Sequence, residues 1–85
     1  HAHVLGKEAY RNGNYVKARD YFLKAYRVDP ARVENLLWLG AMEWYLGRTD
    51  RAVRHMKQAL QIDPDNQVAR ENLSRMKKAL EKRDS

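Results

Sequence analysis

Shifted by 34 residues, the 85-residue sequence overlays itself. Leu5 meets Leu39, Ala18 meets Ala52, Ala25 meets Ala59 and Asp29 meets Asp63. Tyr10 falls on Trp44, Phe22 on Met56 and Val28 on Ile62. All four glycines (Gly6 with Gly40, Gly13 with Gly47) and both prolines (Pro30 with Pro64) keep the register. A further shift places Leu73 and Ser74 under Leu39 and Gly40, so a third unit begins and stops. A repeat of this length is one supersecondary element that buries its apolar face only by stacking on its neighbours.

Each conserved register position has a local reason. Gly13 and Gly47 stand between two apolar-periodic segments, where a helix ends in the left-handed conformation. Pro30 and Pro64 follow Val28-Asp29 and Ile62-Asp63 and end a helix, since proline lacks the N–H that would continue it. Asn14 and Asp50 are placed to cap the helices that follow. Gly6 and Gly40, with the alanines at 18, 52, 25 and 59, are small at mid-helix, where glycine costs about 1 kcal/mol relative to alanine. Small residues there imply close approach of another helix backbone.

Apolar residues recur at helical spacing, as in Leu36, Leu39 and Leu46, or Ala52, Val53, Met56, Ala59 and Leu60. No segment alternates as a half-buried strand does. The spacing predicts five helices, at about 2–12, 15–28, 33–46, 49–62 and 67–82. The fold class is therefore all-α, an α-solenoid of stacked antiparallel helix pairs. Residues 1–85 form a single domain: repeat 1 over about 1–32, repeat 2 over 33–66, a capping helix over 67–82 and a frayed tail over 83–85.

These residues resemble the tetratricopeptide repeat family, whose unit has a large residue, Leu and Gly in its first helix, then Gly-x-Tyr-x-x-Ala, an aromatic, Ala and a closing Asp-Pro. The first unit here reads Leu5-Gly6, Gly13, Tyr15, Ala18, Phe22, Ala25, Asp29-Pro30. The second reads Leu36, Leu39-Gly40, Gly47, Ala52, Met56, Ala59, Asp63-Pro64. Ala9 and Glu43 stand where the family often has tyrosine, and Thr49 replaces the Tyr15 of the first unit. The resemblance implies a right-handed superhelical array, with first helices lining a concave face and second helices forming the back.

The composition narrows function mainly by exclusion. With no cysteine, disulfides, thiolate metal sites and thiol nucleophiles are absent. That absence leaves the compartment open, so the chain reads as a soluble domain of cytoplasm or periplasm. No apolar run is long enough to span a bilayer, and His1-Ala2-His3-Val4 has no signal-peptide pattern. The start one turn before Leu5 suggests a fragment of a longer array. The net charge of +6 favours acidic partners. Its densest group, Arg75, Lys77, Lys78, Lys82 and Arg83, is partly offset by Glu71, Glu81 and Asp84 and reads as the solvated face of the last helix. Because the basic residues form no single stripe, the charge does not point to nucleic acid, which stays a lesser alternative suggested by the aromatics.

Catalysis needs converging titratable groups, a metal cluster or a phosphate-cradling loop. His1, His3 and His55 are far apart in the repeat scheme, His1-x-His3 reads as a frayed terminus, and His55 reads as solvated on the outer face. No enzyme activity, metal or cofactor is expected. The expectation is a scaffold or adaptor that binds a partner protein or peptide in its groove. The concave face is assigned to Lys7, Tyr10 and Arg11 with His3 from the first helix, and to Leu37, Trp38, Ala41, Trp44 and Tyr45 with Glu34 from the third. The last helix adds Arg75 and Lys78, with Glu71 and Asn72. Such a groove, aromatic in the middle and basic at its ends, suits an apolar or aromatic segment with some acidic character. Some family members clamp acidic chaperone C-termini through lysine, asparagine and arginine; only Lys7 and Asn72 match that pattern, and His3, Trp38 and Val68 do not. The alternative is self-association, a homodimer or larger homo-oligomer, because two repeats leave apolar surface open.

Overall fold

The computed structural model describes residues 1–84, and its elements follow the repeat closely. They are α1 (Ala2–Arg11), α2 (Tyr15–Val28), α3 (Val33–Tyr45), α4 (Thr49–Ile62) and α5 (Gln67–Asp84). Each helix packs chiefly on its neighbours in chain order, giving an elongated stack of 40 × 27 × 17 Å. The last helix continues two residues past its expected end, through Asp84, with Lys82 and Arg83 in the final turn, where cations suit the helix dipole. Of the tail expected over 83–85, Ser85 lies outside the described residues.

The turns show the 34-residue repeat at the level of single hydrogen bonds. At the end of α1, Asn14 N donates to Ala9 O (2.9 Å) and Gly13 N to Tyr10 O (3.0 Å). At the end of α3, Arg48 N donates to Glu43 O (2.8 Å) and Gly47 N to Trp44 O (3.1 Å). This paired closure needs a left-handed residue, and Gly13 and Gly47 supply it with φ of 77° and 79°. Asn14 caps α2, its Oδ1 accepting from Lys17 N at 3.2 Å. Asp50 does not cap α4. That helix already begins at Thr49, so Asp50 lies in its first turn, where its charge meets the positive end of the helix dipole. Asn66 provides an unforeseen cap, accepting from Ala69 N at 2.9 Å.

Two clusters form the core, one shared by α1, α2 and α3 and the other by α3, α4 and α5. Ala9, Ala18, Phe22, Leu39 and Met42 make the first; Leu36, Ala52, Met56, Ala59, Ala69 and Met76 make the second. Tyr26 packs against both. Asn35, buried at the start of α3, ties the repeats together through Nδ2, which donates to Ala25 O (3.2 Å) and Asp29 O (3.4 Å). Both carbonyls also accept a backbone N–H, from Asp29 and Arg32, so Asn35 adds a second bond to each at the end of α2.

The small mid-helix residues serve side chains more than backbones. A Cβ on Gly6 would lie 2.8 Å from ring carbons of Phe22. One on Gly40 would meet the Met56 methyl at 2.7 Å and the Ala52 carbonyl at 3.4 Å. The expected backbone approach therefore holds only in part, at Gly40.

Phe22 is pinned by its neighbours, whereas the Met56 methyl can swing away. Gly6→Ala should therefore lower stability by about 1–2 kcal/mol, overpacking outweighing the gain in helix propensity. Gly40→Ala should fall closer to wild type. Urea unfolding followed by circular dichroism checks the order, and a Gly6→Ala chain as stable as wild type would contradict it.

Candidate functional site

The inner helices α3 and α5 leave a groove between them. It encloses about 250 Å³ and is lined by Ala41, Trp44 and Tyr45 from α3 and by Asn72, Arg75 and Met76 from α5. Residues 41, 44 and 45 lie on one side of α3, because helical spacing sets 41 next to 44 and 45. Met76 is buried and forms part of the second core, so the groove has an apolar floor. Trp44 packs against the same core from the groove side. Tyr45 stands out with 52% of its surface exposed, an unusual state for a large aromatic.

Beside the groove the aromatics form a continuous stack. Tyr45 lies on Tyr15, with ring centroids 4.9 Å apart and planes at 21°. It also faces Tyr10 at 6.1 Å and 25°, and Tyr10 meets Trp38 edge-on at 5.3 Å. Trp38 stacks on Phe22 at 5.1 Å and 14°. These offset and edge contacts are the arrangements ring quadrupoles favour. The Tyr45 phenol is held above the usual tyrosine range, first by its polar contact with the neighbouring Tyr10 phenol and then by burial.

Of the residues assigned to the concave face, the structure brings Ala41, Trp44, Tyr45, Asn72 and Arg75 into one groove. Tyr10 belongs to the adjoining stack. Trp38, expected as a groove side chain, is instead held between the repeats by Phe22 and Tyr10, with Lys7 Nζ 5.9 Å from its ring centroid. Leu37 packs against the second core. Arg11 and Lys78 are exposed on α1 and α5 and do not line the groove. The sequence assigns neither Met76 nor Tyr15 to the groove; Met76 reads only as part of the apolar stripe of the last helix. Met76 lies one repeat after Met42, a buried position, and Tyr15 was read only as a repeat residue.

The histidines stay apart, and no three His, Asp or Glu side chains gather at a metal-binding spacing among the described residues. His55 is half-buried rather than solvated, its Nδ1 3.0 Å from Gln58 Oε1. His3 packs edge-on against Phe22 at 5.9 Å, and its Nδ1 is buried without a hydrogen-bond partner. No helix among the described residues is long and apolar enough to cross a membrane.

A family model described as tetratricopeptide repeat matches residues 3–67. The chain belongs to the tetratricopeptide repeat family. Over 61 residues, 72% of the chain, it is 30% identical to a probable UDP-N-acetylglucosamine–peptide N-acetylglucosaminyltransferase, SEC, of Arabidopsis thaliana. The chain spans 6% of that protein's length. Membership of the tetratricopeptide repeat family supports a protein-interaction scaffold.

Burial holds the His3 pKa below 6.5, helped by the positive charges of Lys7 and Arg32. Folding therefore favours neutral His3. Its contribution to stability is present above pH 6.5 and is lost as pH falls through the depressed folded value. Unfolding measured from pH 7.5 to 5 should show this loss, and His3→Gln should flatten it. An NMR titration placing His3 at or above 6.5 would contradict the assignment.

Proposed function

We propose that this tetratricopeptide repeat domain is a non-catalytic adaptor that holds a segment of a partner protein in the groove between α3 and α5. The observation that carries this reading is the exposed Tyr45 beside a groove with an apolar floor and a basic wall. A bound segment would cover Trp44 and Tyr45 with an apolar or aromatic side chain and set an acidic group near Arg75. Aromatic anchors suit such a role because they bury large area at low entropic cost. The plant relative is matched over a small part of its length, and what this reading carries over is binding, not sugar transfer.

Self-association is a second reading, favoured by apolar side chains exposed at both ends of the stack. Val4, Leu5 and Val16 stand open at one end, and Ile62 and Val68 at the other. Sedimentation velocity separates the readings. A chain that stays monomeric at high micromolar concentration removes the second.

For the first, peptides selected from a random library on the wild-type chain should be rich in aromatic residues with an acidic neighbour. Tyr45→Ala should weaken them about tenfold or more, the size of an interface hot spot, with the helical circular dichroism unchanged. Arg75→Ala should weaken them less and remove part of their salt dependence. Peptides that bind both variants as well as wild type would place the binding surface elsewhere.

A further inference from the structure

On the side of α3 away from the groove, a buried carboxylate gathers arginines. Residues 39 and 43 lie roughly half a helical turn around α3 from residues 41, 44 and 45. Glu43 stands where the family often has tyrosine, and its side chain is 4% exposed. Three guanidinium groups surround it. Arg19 Nη1 is 3.8 Å from Oε1, Arg48 Nη1 3.9 Å from Oε1 and Arg51 Nη1 3.8 Å from Oε2. These distances allow charge attraction but exceed hydrogen-bond length, and Oε1 has no hydrogen-bond partner.

The arginines open onto a cleft of about 410 Å³, lined also by Asp20, Leu23, Leu39, Arg54 and His55. Arg19 is mostly covered and commits two nitrogens to Asp20 Oδ1, at 3.0 and 3.2 Å. Arg48 and Arg51 are 44% and 56% exposed, and no hydrogen bond occupies their guanidinium N–H groups among the described residues. Four arginines face two carboxylates here, which leaves a surplus of two positive charges. The buried carboxylate holds the guanidinium heads together while their outer donors point to solvent. An exposed cluster of like charges lacking that anchor would spread apart.

We propose that this cleft binds a phosphomonoester, with Arg48 and Arg51 as the contacting forks and Glu43 as the residue that positions them. A dianion matches the surplus of two charges, and its three oxygens accept from planar guanidinium donors better than a single carboxylate does. The site lies behind the peptide groove and is independent of it, so each can be occupied or disabled alone.

The test follows the arginine Nε–Hε NMR signals while two probes are added to the chain, inorganic phosphate and a phosphoserine peptide. The signals of Arg48 and Arg51 should move with both, and Arg75, which lines the groove on the other side of α3, should not move with inorganic phosphate. A peptide that binds about tenfold tighter than free phosphate marks a phosphorylated protein as the source, and equal binding marks a small phosphate compound; either result supports the site. Arg48→Gln with Arg51→Gln should weaken the phosphopeptide about tenfold or more. If that pair loses its helical signal, Arg54→Gln, which makes no ion pair with Glu43, replaces it and should weaken binding severalfold. Unmoved Arg48 and Arg51 signals, wild-type affinity in the variants, or equal binding of the same peptide with aspartate for phosphoserine would overturn the proposal.

Discussion

Phe22 stacked on Trp38 joins the two repeats, and most of the architecture follows from that contact. The Phe22 ring fills the space that Gly6 leaves open on α1, and it presents its face to an indole from α3. Three helices thus meet at one aromatic pair. A core this thin contains few such large side chains, and the rest of its interior is mainly alanine, leucine and methionine. Removing the Phe22 ring would weaken the α1–α2 and α2–α3 packing together. Stability in such a stack is divided between repeats and the interfaces that join them, and here the interface includes the largest rings.

The same contact decides which aromatics remain open at the surface. Trp38 turns toward Phe22 and Tyr10, so the indole serves packing. The neighbouring turn of α3 then brings Trp44 and Tyr45 to the groove. Tyr45 is half covered by Tyr15 and Tyr10, which fix its ring without burying it. An anchor fixed in this way loses little freedom when a partner covers it. On the other side of α3, Leu39 and Glu43 face α2 and α4. One helix therefore presents an apolar, aromatic wall to one side and a buried acid to the other.

Much of this was legible in the sequence because the signals were local and repeated. Gly13 and Gly47 fixed two turns, and the Asp-Pro pairs fixed the ends of α2 and α4. The family pattern then assigned faces. What stayed hidden depended on which neighbour each side chain reached. Trp38 and Trp44 occupy the same helix and look alike in the sequence; both pack against a core, and only Trp44 also lines the groove. Asp50 reads as a cap in the sequence, but turn geometry at Gly47-Arg48 starts α4 at Thr49 and puts Asp50 inside the first turn. Glu43 was visible as a departure from the family tyrosine, yet its three arginines come from α2, from the turn and from α4. No spacing in the sequence joins those three positions.

In the proposed function, partners are held on the α3–α5 side of the stack. Hydrogen–deuterium exchange compares the free chain with the chain saturated by a peptide selected against it. Backbone amides at 41–46 and 72–76 should gain protection, with α2 and α4 little changed. Protection confined to the outer helices, or spread evenly over all five, would contradict the account.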